Sequence, residues 1–126
     1  MEKKALVPDT SVIVKWFTKE EDRDKAIKIR EKFVNGEIEI AAPDLIIYEL
    51  SNALRFNPAF NQEDVKEAIQ SILDLDFEII TPLQTTTDKA IELAFEYNIT
   101  IYDAFYVALA DELDYAIITA DKKLGD

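Results

Sequence analysis

The chain has 126 residues, 48% of them apolar, with 26 Asp plus Glu against 14 Lys plus Arg for a net charge of −12, and it has neither Cys nor His. That composition excludes disulfides, thiol nucleophiles, imidazole bases, Ser-His-Asp triads and Cys/His zinc sites, leaving catalysis to carboxylates, hydroxyls, Lys or Tyr and any metal site to a hard, oxygen-seeking ion. The length fits a single domain over 1–126, and the acidic balance argues against nucleic-acid binding by charge alone while leaving a metal-bridged nucleic-acid substrate open.

In chain order, residues 4–8 form a short apolar run closed by Asp9, and 10–17 place Val12, Ile13, Trp16 and Phe17 at helical spacing. A helix is expected over 21–34, stopped by Asn35-Gly36, followed by a strand at 38–41. Pro43 suits the first turn of a helix reaching Phe56, which Asn57-Pro58 ends. Asn61 caps a helix over 62–75. A strand at 77–80, helices at 85–97 and 101–113, and a strand at 115–119 complete the chain. Four apolar strands alternating with helices predict an α/β domain with a mostly parallel sheet, whose ligands gather past the carboxyl ends of the strands. No run approaches the roughly 18 apolar residues of a membrane span, and no signal-peptide cleavage pattern follows the first residues, so a cytoplasmic protein with no membrane partner is expected.

Four acids stand out. Asp9, followed by Thr10 and Ser11 at a strand-to-helix turn, has an ordinary reading as a helix N-cap. Asp103, three residues after Thr100, reads as the acidic half of a capping box, and Asp121 as a residue of a solvated turn. Glu49 resists such readings, because at about 100° per residue it falls between Leu45, Ala53 and Phe56 in an apolar stripe. A structural salt bridge to Arg55 or Lys15 would neutralise it there. Collected in one site, the four carboxylates would oppose one another's ionisation unless a divalent cation neutralised them, which describes a Mg²⁺ or Mn²⁺ site suited to phosphoryl chemistry. Ser11 and Thr119 add hydroxyls at the same rim. The aromatics Trp16, Phe17, Tyr102, Phe105 and Tyr106 read as core or dimer interface ahead of base-stacking platforms.

These motifs resemble the PIN-domain ribonucleases and, within them, the VapC-type toxins of toxin–antitoxin pairs. The resemblance rests on Val7-Pro8-Asp9-Thr10-Ser11, Tyr48-Glu49-Leu50-Ser51-Asn52-Ala53-Leu54, Thr100-Ile101-Tyr102-Asp103-Ala104 and Thr119-Ala120-Asp121-Lys122-Lys123-Leu124, in this order and spacing. It implies a PIN-like three-layer α/β/α fold with a mostly parallel central sheet and Mg²⁺- or Mn²⁺-dependent cleavage of single-stranded RNA. It also implies a homodimer and inhibition by a small cognate antitoxin. The catalytic and metal-binding quartet would be Asp9, Glu49, Asp103 and Asp121, with Ser11 and Thr119 as polar, substrate-side neighbours. Members of the family usually continue through another helix and an edge strand, whereas this sequence stops at Asp126, so the expectation is either a shortened chain or a sheet that lacks that last edge strand. Lys15, Arg55, Lys122 and Lys123 are the cations nearest the motifs.

Three other readings fit less of the sequence. An aspartyl-nucleophile phosphatase wants a second Asp where Ser11 stands. A receiver domain wants a phosphoacceptor Asp after the third strand, where Ile80 is followed by Thr81-Pro82. A non-enzymatic acidic α/β interaction module with a vestigial metal site is the remaining alternative, distinguished by whether divalent ions bind and stabilise the fold.

Overall fold

A computed structural model describes residues 3–120. Strand β1 (Lys4–Pro8) leads into α1 (Thr10–Ile13), which tightens into a 3-10 turn at Val14–Trp16; α2 (Arg23–Val34), β2 (Ile38–Pro43), α3 (Leu45–Arg55) and α4 (Gln62–Leu75) follow. Then come β3 (Glu78–Ile80), α5 (Gln84–Tyr97), α6 (Ile101–Leu113) and β4 (Ala116–Ile118). The strands lie in the order β3-β2-β1-β4, and every described pairing is parallel. Because parallel crossovers are right-handed, the helices between β1, β2 and β3 lie on one side of the sheet, and α6, on the return from β3 to β4, covers the other face with α5 packed against it. The expected three-layer α/β/α arrangement is therefore present.

Elements begin and end where the local chemistry demands. Asp22 adopts a left-handed φ of 64°, so α2 starts at Arg23 and not at residue 21. Pro43 closes β2 instead of opening a helix. It stands in register with Ile80, and the ladder to β3 is carried by its neighbour, the Asp44 N–H donating to the Ile80 carbonyl at 2.9 Å, so the donor that proline lacks costs this pairing nothing. Asn61 completes the cap of α4 reciprocally: its side chain accepts from the Asp64 N–H at 2.8 Å, while Asp64 accepts from the Asn61 N–H at 2.9 Å.

The main core joins Val7, Ile13, Trp16, Ile40, Ile46, Leu50, Leu54, Ile72 and Tyr106. Trp16 is sealed by its indole N–H, which donates to the Ala26 carbonyl at 2.8 Å, and Phe33 meets Phe77 edge to face. A second seam, Ala90 and Ala94 against Ala104 and Ala108, lets α5 and α6 approach closely. Across that seam Thr86 donates to Glu112 at 2.6 Å, and Lys89 pairs with Asp111, whose carboxylate hydrogen bond raises the lysine pKa. Among the described residues, no helix is long and apolar enough to cross a membrane.

Candidate active site

Leaving β1, the chain turns toward β2, whereas β4 returns to the opposite side of β1. The strand order therefore reverses between β1 and β4, and the crevice past their carboxyl ends is where a doubly wound sheet binds ligands. Asp9 follows β1 and Thr119 follows β4, tied by the Asp9 N–H donating to the Ile118 carbonyl at 3.0 Å.

Asp9 is 4% exposed, and its carboxylate does not cap the following helix. The helix start is satisfied through the backbone, because the Asp9 carbonyl accepts from the N–H groups of Val12 and Ile13. The carboxylate is left for other work. Ser11 Oγ donates to Oδ1 and Thr119 Oγ1 donates to Oδ2, each at 2.5 Å, and Ser11 Oγ in turn accepts from the Ala120 N–H at 2.8 Å. Ser11 and Thr119 thus hold the plane of the Asp9 carboxylate from its two ends. None of the described ion pairs involves Asp9.

Glu49 is half-buried at the edge of the α3 core face. The expectation that it lies inside an apolar stripe is corrected here: the buried residues of α3 are Ile46, Leu50 and Leu54, while Ala53 and Phe56 are exposed. Helical spacing alone did not say which of two apolar faces meets the sheet. Neither expected salt-bridge partner engages Glu49 among the described ion pairs; Arg55 lies over the Phe56 ring and Lys15 donates to the Glu21 carbonyl. Glu49 Oε1 instead accepts from Tyr106 Oη at 2.7 Å and Thr10 Oγ1 at 2.9 Å.

Asp103 occupies the first turn of α6, where its N–H donates to the capping hydroxyl of Thr100 at 3.0 Å. Tyr106 lies one turn further along the same helix, close enough to feel the charges of both Glu49 and Asp9. Burial, first of all, pushes its phenol well above the ordinary tyrosine range; the Thr10 hydrogen bond pulls the other way, and the two carboxylates add to the rise. Tyr106 therefore stays a neutral hydrogen-bond donor. Asp121 lies outside the described residues. Among those described, no three acidic side chains come together closely enough to hold an ion by themselves.

Two residues at the site fall outside the sequence reading of it: Thr10, which stands inside the first motif, and Tyr106, which reads as core or interface. The signal for Tyr106 was a hydroxyl on a helix that is apolar almost all round, since a buried phenol needs a polar partner. Trp16 and Tyr106 are core, whereas Tyr102 is 59% exposed.

The donor set suits a hard divalent ion. It consists of carboxylate and hydroxyl oxygens, and the buried Asp9 charge is met by neutral donors, none of the described ion pairs bringing a Lys or Arg to it.

The PIN domain family model matches residues 6–126. Ribonuclease VapC3 of Pyrobaculum aerophilum is 29% identical over 126 residues, covering 96% of this chain and 92% of that protein. Ribonuclease VapC1 of Mycobacterium tuberculosis is 34% identical over 86 residues, covering 67% of this chain and 64% of that protein. Among solved structures, VapBC2 from Rickettsia felis, bound to a DNA fragment from its promoter, superposes with a TM-score of 0.74 at 17% identity over 96% of this chain and 91% of that one. FitAcB from Neisseria gonorrhoeae does so with a TM-score of 0.69 at 16% identity over 94% and 88%. A strand order that reverses beside a buried, hydroxyl-braced aspartate agrees with a family match reaching from β1 to the end of the chain: this chain belongs to the PIN-domain family.

Proposed function

We propose that the protein is a divalent-metal-dependent endoribonuclease of the VapC type, the toxin of a toxin–antitoxin pair, cutting single-stranded RNA. PIN-domain VapC nucleases are metal-dependent in general, and Mg²⁺ or Mn²⁺ is the ion this oxygen-only donor set would select. Asp9, Glu49, Asp103 and Asp121 would hold it. When bound, the ion supplies a water of lowered pKa and neutralises charge on the scissile phosphate. Ser11 and Thr119 keep the Asp9 carboxylate in one orientation, so little reorganisation is required during reaction. The observation that carries this reading is the buried Asp9 carboxylate, placed at the topological switch point and braced by hydroxyls.

The polyanionic substrate must approach a chain of net charge −12. Lys15, Lys25 and Asp22 line a depression of about 280 Å³ that reaches Thr119 and Ala120 beside Asp9; Lys25 pairs with Asp22 at 3.9 Å, which leaves the Lys15 ammonium as the excess positive charge there for an RNA backbone. A cognate antitoxin and a second copy of the chain are the proposed protein partners. Large exposed apolar side chains support such contacts, among them Phe95 at 85% and Phe56 at 71% exposure. The test is incubation of a single-stranded and a duplex form of one RNA with Mn²⁺, and again with chelator. Cutting of the single strand alone, abolished by chelator, is the expected result; equal cutting with chelator present would overturn the reading.

A further inference from the structure

The Tyr106 hydroxyl belongs to a closed triangle of oxygens. Tyr106 Oη lies 2.7 Å from Glu49 Oε1 and 2.8 Å from Thr10 Oγ1, and Thr10 Oγ1 lies 2.9 Å from the same Glu49 oxygen. The triangle joins three separate pieces of chain: the turn after β1 that carries Asp9, helix α3 that carries Glu49, and helix α6 that carries Asp103 one turn before Tyr106. Both hydroxyls fall on one carboxylate oxygen. Oε2 accepts no hydrogen bond from any described residue, so the arrangement occupies one side of the carboxylate and leaves the other for a cation.

We propose that Tyr106 is a positioning residue that, with Thr10, fixes Glu49 through Oε1 so that Oε2 is presented to the divalent ion. The inference rests on the reading of Glu49 as a ligand. Tyr106 is 1% exposed and packed in the main core, so its ring, and with it the position of the phenol oxygen, is held in place. A free glutamate on a helix samples several rotamers, and holding one of them in advance lowers the ordering cost of binding the ion. Phe at this position would fill the same space without the anchor.

The test is Mn²⁺ titration calorimetry at fixed pH on the wild type, Tyr106→Phe, Thr10→Val and Glu49→Gln, with the melting temperature of each measured in chelator. Weaker Mn²⁺ binding in Tyr106→Phe by about 10- to 100-fold, the usual effect of losing a group that orients a ligand, is expected, with a chelator-state melting point near that of the wild type. Cleavage in the same variant should recover as Mn²⁺ is raised, which a merely structural loss would not do. Wild-type Mn²⁺ affinity in Tyr106→Phe alongside weakened binding in Glu49→Gln would overturn the positioning role and leave the ligand reading standing. Unchanged binding in both would overturn the two together. Should Tyr106→Phe fail to fold, Thr10→Val carries the same expectation, and its wild-type affinity would overturn the shared anchoring.

Discussion

A carboxylate immediately after a strand and before a helix is ordinarily a cap, and Asp9 has the sequence of one. What separates it from a cap is what its two oxygens meet: the hydroxyls of Ser11 and Thr119, 2 and 110 residues away in sequence, and not the backbone N–H groups of the following helix. The partner from β4 could not be read from local spacing, because only the strand order brings it there. Replacing Asp9 by Asn keeps the shape, and either hydroxyl can rotate to accept from the new amide, so the fold should survive. The charge is what is lost. In thermal unfolding, Mn²⁺ should raise the wild-type melting temperature and leave that of Asp9→Asn nearly unchanged, because only binding to the native state contributes stability. An equal rise in both would remove Asp9 from the ion's ligands. Glu49 was legible as an anomaly, but its explanation was not: the sequence offered Arg55 or Lys15, and the fold supplies Tyr106, 57 residues away.

At the scale of elements, the helices and strands were largely legible because their signals are local. Asn61 and Asp64 cap α4 where the sequence placed its start, and α6 runs over the expected residues. The errors fall where a neighbouring strand decides: Pro43 joins β2 because β3 extends alongside it, a pairing no local pattern announces. The alanine seam between α5 and α6 was equally hidden, since Ala is a good helix former anywhere and its smallness matters only once two helices face each other. Ala104, fully buried in that seam, has no room for a larger side chain. Ala104→Leu should cost about 1–3 kcal/mol in urea unfolding, as overpacking of a close contact does. An exposed comparator on the same helix, Asp111→Ala, removes only a surface ion pair and should cost clearly less. Equal costs would mean that the seam is not tightly packed.

For the molecule as a whole, the order β3-β2-β1-β4 explains why motifs scattered over more than a hundred residues converge. The turn after β1, helix α3 and helix α6 meet through Thr10, Glu49 and Tyr106, while β4 delivers Thr119 to Asp9. The order of the motifs was visible in the sequence, but the convergence belongs to the topology. Net charge makes a further prediction at this scale. With 26 acidic against 14 basic residues, RNA should be held by few cations, and among the described residues Lys15 and Lys25 line the depression that reaches Thr119. Lys15→Ala with Lys25→Ala should raise KM for RNA and flatten its dependence on salt, with a smaller effect on kcat; an unchanged salt dependence would place the backbone contact elsewhere.

The most direct measurement is single-turnover cleavage of a single-stranded RNA with Mn²⁺ by the wild type, Asp9→Asn and Asp103→Asn. Loss of the ion's contribution, worth several kcal/mol, should slow both variants by ~100-fold or more while their circular dichroism spectra match the wild type. Cleavage by either variant at the wild-type rate would contradict a nuclease centre built on these acids.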